Sequence, residues 1–173
     1  MQLLLSLADT APFEFDRVIP LAEGVGGEDL ISVEPVHFFG RVERDQPGYL
    51  LVGTLVARCQ LRCVRCLEAF PLTFEEQFRL LLWPLSLAPQ DEELQLSRKE
   101  LDVRFFAEPI LDFVELAGEQ LELLLPMKPL CRENCQGLCP RCGANRNLVS
   151  CSCAQEGDER WQPLAELISH RRG

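Results

Sequence analysis

Six of the nine cysteines in this 173-residue chain lie within the 23 positions from Cys131 to Cys153. Part of this stretch reads Cys139-Pro-Arg-Cys142-Gly143. A C-x-x-C turn brings two sulfurs close together, and a following glycine can take the positive φ that lets backbone N–H groups approach those sulfurs. We therefore interpret the stretch as a metal-binding segment.

A second pair, Cys151 and Cys153, follows across the turn-forming residues Asn145 and Asn147. Four thiolates would complete a tetrahedral shell and leave no position open for water. A closed shell of this kind is typical of structural zinc rather than catalytic zinc.

The remaining cysteines favour a second site, because Cys63-Val-Arg-Cys66 is another C-x-x-C turn. The predicted sites are Cys139, Cys142, Cys151 and Cys153 for one, and Cys63, Cys66, Cys131 and Cys135 for the other. Spacing alone does not fix which pairs meet, so one site with four spare thiols is also allowed. Four thiolates suit zinc, as one or two ions, and they suit iron as well.

Two other interpretations of the cysteines compete with metal binding. A redox dithiol needs its first cysteine at a helix N-terminus, but the residues after Cys142 are poor helix formers. A disulfide framework expects a secreted chain and an even cysteine count, whereas this chain has nine and no evident signal peptide. Metal binding is the favoured interpretation.

Strand patterns dominate the first half of the chain. Apolar residues alternate from Leu51 to Cys63, which puts Cys59 on the core face as a buried thiol. Strands are also predicted for residues 1–7, from Ile31, over 72–83 and over 101–106, with a hairpin turn at Pro47-Gly48. Residues 8–30 are expected to be irregular or partly helical, and residues 89–100 an acidic connector.

An amphipathic helix is predicted to begin at Glu108 and Pro109. Its apolar stripe comprises Ile110, Phe113, Val114, Ala117, Leu121 and Leu124. The expected fold is α+β: an antiparallel sheet of at least three strands, which could close like a barrel, packed by this helix. The expected domains are a sheet-plus-helix domain over 1–125, a zinc-ribbon-like segment over 126–154, and a short helix or tail over 155–173 with its helix over 160–170.

Charge and motif content argue against an enzyme. The net charge is −10, yet residues 57–66 carry three arginines and no carboxylate, and residues 126–153 carry four basic side chains and one acidic. The chain has two histidines, His37 in a strand and His170 near the end, and it lacks a phosphate-binding loop and a nucleophile elbow. Neither a membrane span nor a small-molecule substrate is expected, and the location is expected to be cytoplasmic.

The motifs in order resemble the YceD family. The resemblance is carried by Cys63-Val-Arg-Cys66-Leu-Glu, an acidic helix ending in Leu-Leu-Leu-Pro-Met-Lys-Pro-Leu-Cys131, and Cys135-Gln-Gly-Leu-Cys-Pro-Arg-Cys-Gly-Ala-Asn-Arg-Asn147 with Cys151-Ser-Cys153. Arg146 departs from the aliphatic residue expected between the two asparagines. The resemblance implies a role in the maturation or stability of large-subunit ribosomal RNA, with precursor ribosomal RNA or a ribosomal protein as partner.

Basic residues near the cysteines form a candidate RNA-contacting patch. They are Arg58, Arg62, Arg65, Lys128, Arg132, Arg141 and Arg146. Phosphate contacts of this kind position RNA without reading its sequence. Three alternatives stay open: the arginines only offset thiolate charge, the acidic faces bind a basic ribosomal protein, or the C-x-x-C pairs act as redox thiols.

Overall fold

The computed structural model describes residues 1–21, 25–89 and 103–153. The chain divides into two compact units, and the first comprises residues 1–64 and 68–133. Of the described residues, the second unit contains 65–67 and 134–153. The division into three segments at 125 and 154 stays a prediction.

Eight strands and one α-helix occur in the described residues, all within the first unit. The strands are β1 (Gln2–Leu4), β2 (Phe13–Ile19), β3 (Leu30–Val33), β4 (Val36–Asp45), β5 (Gly48–Arg62), β6 (Ala69–Pro84), β7 (Val103–Phe106) and β8 (Ile110–Asp112), and helix α1 spans Phe113–Leu124. Short 3-10 helices span Leu5–Ala8 and Leu85–Leu87.

The main sheet is organised around β5, which pairs along its length with three other strands. The strand order is β2-β4-β5-β6-β7, with β3 paired to the second half of β5. Neighbours are antiparallel except β6 and β7, which run parallel, so the sheet is mixed. Strands β1 and β8 form a separate antiparallel pair.

The alternation predicted for β5 is confirmed by burial. Leu51, Leu55, Ala57 and Leu61 are all buried, while the intervening side chains are half-buried or exposed. A period of two places alternate side chains on opposite faces, and the face carrying these four packs against the core. The predicted hairpin is also confirmed, because Asp45 pairs with Gly48 across the turn between β4 and β5.

Helix α1 covers the buried face of the sheet. Phe113 lies 4.8 Å from Phe15 and 5.8 Å from Phe38, measured between ring centroids. Leu116 and Leu121 on the same side of the helix are fully buried. Aromatic rings supply much of the apolar area in such a core.

Gly53 makes room for two of the core rings. It pairs with Gly40 on β4 and with Phe78 on β6, where the Phe78 and Phe38 centroids are 5.4 Å apart. A Cβ on Gly53 would lie 2.8 Å from Cε2 of Phe38 and 3.2 Å from Cζ of Phe78. The absence of a side chain here lets the two rings meet.

Three expectations about the strands and their connections were wrong in the described residues. Residues 13–19 form strand β2 at the sheet edge instead of irregular chain. The described strands form an open sheet with β2 and β7 at its edges, so they do not close like a barrel. Residues 1–7 are only partly extended, because the chain turns into a 3-10 helix at Leu5.

The helix begins later than predicted. Ile110 belongs to β8, which pairs with β1, and Asp112 caps the helix by accepting hydrogen bonds from the amides of Val114 (2.8 Å) and Glu115 (3.4 Å). Side-chain caps of this kind satisfy amides that lack an intrahelical partner. The predicted helix over 160–170, the tail over 155–173 and nearly all of the acidic connector lie outside the described residues.

Candidate metal centres

Two groups of four cysteines could each hold a metal ion. Within each group the four sulfurs all lie within 4.8 Å of one another. We call Cys63, Cys66, Cys131 and Cys135 the first cluster, and Cys139, Cys142, Cys151 and Cys153 the second cluster. The structure thus brings together the same two sets that the sequence analysis grouped, while their role as ligands stays a prediction.

The sulfur spacing fits a tetrahedral metal. Zn–S bonds of about 2.3 Å place tetrahedral sulfurs about 3.8 Å apart, which is compatible with the separations in both clusters. None of the nine cysteines is joined to another in a disulfide. The donor set therefore fits zinc, and it fits iron equally well.

The second cluster is built on a tight turn. Cys139 N–H donates to the carbonyl of Ala144 at 2.8 Å, and Gly143 N–H donates back to the carbonyl of Cys139 at 2.9 Å. Gly143 has a φ of +71°, which a residue without a side chain adopts readily. This turn keeps the sulfurs of Cys139 and Cys142 within 4.8 Å of each other.

Backbone amides also stabilise charge on one sulfur of the second cluster. The N–H groups of Cys142 and Arg141, followed by the Cys151 thiol, lower the pKa of Cys139 to about 6. Hydrogen bonds with the sulfurs of Cys142 and Cys139 raise the pKa of Cys153 to about 12, and burial and the negative charge on those sulfurs add smaller increases. Amide N–H groups directed at a sulfur suit a thiolate ligand.

The first cluster contains a turn of the same kind. Cys63 N–H donates to the carbonyl of Glu68 at 2.9 Å, which closes the chain around Cys66. Leu67 follows the second cysteine and has a φ of +62°, so it takes the conformation that Gly143 has in the second cluster. Cys63, Cys66 and Cys135 are buried.

Asn147 is a residue of the site that the sequence analysis treated only as a turn former. Its side-chain Nδ2 donates to the sulfur of Cys135 at 3.3 Å. Its Oδ1 accepts from the amide of Gln136 at 2.8 Å. The signal in the sequence was the pair of asparagines after Gly143, but spacing alone did not show which cysteine Asn147 would reach.

Cys59 belongs to neither cluster. It is 3% exposed and packs in the core of the first unit, where burial raises the pKa of its thiol. This placement agrees with its predicted role as a small apolar side chain.

The seven candidate RNA-contacting residues are all exposed. Arg58 lies 3.9 Å from a carboxylate oxygen of Glu34, and Arg65 donates to the carbonyl of Cys135 at 3.0 Å. The described sequence of the second unit, residues 65–67 and 134–153, contains Arg65, Arg141 and Arg146 and no aspartate or glutamate. His37 is not one of these candidates, and its Nε2 lies 2.8 Å from Oδ1 of Asp16 on the neighbouring strand β2.

A family model for the large ribosomal RNA subunit accumulation protein YceD matches residues 51–168. The match covers more than half of the chain, and it includes most of β5 and all of the cysteines that form the two clusters. The chain belongs to the YceD family. No solved structure gives a significant match to it.

Relatives of this YceD-family chain occur in bacteria and plants. An uncharacterized protein of Mycobacterium tuberculosis is 32% identical over 132 residues, which are 74% of this chain and 59% of the relative. An uncharacterized protein of Mycobacterium leprae is 25% identical over 160 residues, 88% of this chain and 69% of the relative. A chloroplastic Zea mays protein, named large ribosomal RNA subunit accumulation protein YCED homolog 1, is 27% identical over 161 residues, 78% of this chain and 52% of the relative.

The chain spans about three fifths of the length of the Mycobacterium tuberculosis relative. None of its helices in the described ranges is both long enough and apolar enough to cross a membrane.

Proposed function

We propose that this YceD-family chain is a non-enzymatic factor that supports the accumulation of large-subunit ribosomal RNA during ribosome assembly in the cytoplasm. The family description and the name of the Zea mays relative support this role. The chain covers only 59% of the Mycobacterium tuberculosis relative and 52% of the Zea mays relative. An activity of the whole protein is therefore proposed and is not carried over from these relatives.

Structural zinc is the cofactor in this proposal. Each cluster offers four sulfurs, so a bound ion would have a complete shell and no position for a substrate. The ion would supply cross-links between turns that carry little regular secondary structure. The eight cysteines of the two clusters are the proposed ligands, and Cys59 is not one of them.

The charge of the second unit is the observation that carries the RNA proposal. Its described residues include three exposed arginines and no carboxylate, in a chain whose net charge is −10. Arginine pairs readily with phosphate, and phosphate contacts position a protein on RNA without reading sequence. Arg58, Arg62, Lys128 and Arg132 are the proposed additional contacts.

Charge reversal tests this proposal. We expect Arg141→Glu combined with Arg146→Glu to weaken binding to large-subunit ribosomal RNA at least tenfold, and to lower the slope of log K against log salt by about one per lost phosphate contact. The matched control reverses two exposed sheet arginines, Arg17→Glu with Arg79→Glu, and changes net charge equally. If both double variants bind RNA as the wild type does, or both lose binding equally, the second unit is not the RNA surface.

An acidic groove favours a second candidate function, a protein-binding adaptor. The groove has a volume of about 460 Å³ and is lined in part by Glu28, Asp29, Glu122 and Met127. Met127 is 99% exposed. A basic ribosomal protein would match this combination of carboxylates with an accessible apolar side chain.

The two candidates predict opposite sensitivities. In the adaptor case, Glu28→Lys with Glu122→Lys would abolish co-purification of a basic ribosomal protein, while the Arg141 and Arg146 reversal would leave it unchanged. If the acidic-to-basic variant retains all of its ribosomal partners, the adaptor role is excluded.

The thiol redox alternative has less support from the geometry. Neither C-x-x-C turn lies at the N-terminus of a helix in the described residues, so the low pKa of Cys139 comes from the amides of its own turn, and these equally suit a metal-bound thiolate. Metal analysis separates the two cases, because stoichiometric zinc with unreactive cluster thiols supports the structural role.

A further inference from the structure

We infer that Asn147 is a positioning residue for the first cluster: it holds the Cys135 thiolate by a side-chain hydrogen bond, and it links metal binding there to the loop of the second cluster. The inference rests on the proposed binding of metal by the cysteines. The evidence is the 3.3 Å contact from Asn147 Nδ2 to the sulfur of Cys135.

The orientation of the Asn147 amide is set by its other partners. Its Oδ1 accepts from the amide of Gln136 at 2.8 Å, and its Nδ2 also donates to Oδ1 of Asn145 at 2.8 Å. A flipped amide would place oxygen against Asn145 oxygen and NH2 against the Gln136 N–H. The network therefore directs an N–H, and not a carbonyl, at the sulfur.

The loop around Asn147 is itself held in place. Asn145 Oδ1 accepts from the backbone amide of Asn147 at 3.0 Å, and Arg146 N–H donates to the carbonyl of Gly137 at 2.9 Å. These bonds restrain the side chain before any metal binds. A preorganised donor costs less conformational entropy when the thiolate is formed.

Asn147 lies between Cys142 and Cys151 in sequence, so a metal in the second cluster would close the loop that contains it. Its side chain nevertheless contacts a cysteine of the first cluster. Loading the second cluster should therefore strengthen metal binding at the first, and by linkage the reverse also holds.

The decisive variant is Asn147→Asp. Aspartate keeps an oxygen that can accept from the Gln136 amide, but it has no N–H to give to the sulfur of Cys135 or to Oδ1 of Asn145. Loss of groups that orient metal ligands typically weakens metal affinity by about 10- to 100-fold. We expect a loss in that range at the first cluster, whereas a merely structural role through Gln136 would leave the affinity close to that of the wild type.

Asn134→Asp is the matched control. Asn134 immediately precedes Cys135, is exposed, and makes its described hydrogen bond through its backbone carbonyl. This substitution adds the same charge near the same cysteine, but it removes no N–H···S contact seen in the structure. Its zinc affinity should stay within about threefold of the wild type.

The readout combines zinc affinity, from competition with a chelator, and the ¹¹³Cd resonances of cadmium-loaded protein. The first-cluster resonance is identified by its disappearance in Cys66→Ser. We expect Asn147→Asp to shift that resonance and leave the other in place, which also shows that the second cluster is still folded. Unchanged affinity and unchanged resonances in Asn147→Asp would overturn the inference.

Further variants keep the outcomes separate. If Asn147→Asp also loses the second resonance, Asn147→Gln provides the test, because glutamine retains an N–H donor. Its zinc affinity at the first cluster should lie between those of Asn147→Asp and the wild type. An affinity as low as that of Asn147→Asp would overturn the inference. Cys142→Ser should weaken the first cluster in the wild-type background and by much less in Asn147→Asp, and independent effects would overturn the link. A wild-type chain that binds no cadmium or zinc would instead refute the proposed cofactor.

Discussion

Leu67 and Gly143 share a backbone conformation: each directly follows the second cysteine of a C-x-x-C turn, and their φ values are +62° and +71°. Left-handed φ costs an L-residue with a side chain about 1–2 kcal/mol, whereas glycine adopts it at little cost. The first cluster therefore keeps its turn despite a leucine at the strained position.

Leu67→Gly should relieve that strain. We expect the zinc-saturated protein to gain about 0.5–1 kcal/mol, because the relief exceeds the extra unfolded-state entropy of glycine. Leu67 is 57% exposed, so little packing is lost. The measurement is urea unfolding at fixed free zinc.

Leu148→Gly serves as the control, since Leu148 is also exposed but has no positive φ. It should be neutral or destabilising. Gly143→Ala should destabilise by about 1 kcal/mol through φ alone, because a Cβ there would meet no atom within 4 Å. A stabilising Gly143→Ala would contradict the argument.

Metal stoichiometry is the second prediction. The purified protein should contain two zinc ions per chain, and Cys66→Ser or Cys142→Ser should each remove one, because each cluster loses a thiolate. Cys59→Ala should retain both ions, since that thiol lies in the core outside either cluster. Elemental analysis with a count of reactive thiols measures this, and loss of zinc in Cys59→Ala would refute the ligand assignment.

Capping of α1 gives the third prediction. Asp112→Ala should destabilise the protein by about 1 kcal/mol at neutral pH, because the amides of Val114 and Glu115 lose their acceptor. Asp112→Asn should be much milder, since its amide oxygen can still cap the helix. Chemical unfolding of the three proteins at pH 7 provides the comparison.

The contribution of the Asp112 carboxylate to folding stability depends on pH. Partial burial raises the pKa of Asp112, but hydrogen bonds from the Val114 and Glu115 amides, the nearby Met1 ammonium and a hydrogen bond from Gln2 lower it, and the net pKa lies below its ordinary value. The stabilisation should therefore be complete above the unfolded pKa of about 3.9 and be lost as pH falls through the lower folded pKa. Asp112→Asn should lack this component, and an acid profile identical to the wild type would refute it.

The aromatic core gives the fourth prediction. Phe38→Ala should destabilise the protein by about 3–5 kcal/mol, because Phe38 is fully buried against Phe15, Phe78 and Phe113. Phe39→Ala is the neighbouring control on the other sheet face, where the side chain is only half-buried. Its effect should be clearly smaller, and equal losses would contradict the assigned faces.

Local patterns in the sequence predicted the centre of the fold well. The alternation in β5 predicted its buried face, because one sheet face meets the core and the other does not. The turn at Pro47-Gly48 predicted the hairpin for a similar reason, since the residues that make it are adjacent in sequence.

Long-range pairing explains the errors. Ile110 reads as part of a helical stripe, but it pairs with Leu4 on β1, which lies far away in sequence. Strand β2 carries Glu14, Asp16 and Arg17 on an edge strand, so its apolar alternation is weak. The contact from Asn147 to Cys135 likewise depends on how two loops meet, which residue spacing does not specify.

The space over Gly53 also bears on how this sequence can vary among relatives. A Cβ at this position would lie 2.8 Å from Phe38 and 3.2 Å from Phe78, so a substitution there requires the rings to shift or one of them to be replaced. A homologue with a larger residue in place of Gly53 should carry a smaller residue at one of the two ring positions. Residues at the three sites are thus expected to covary among relatives.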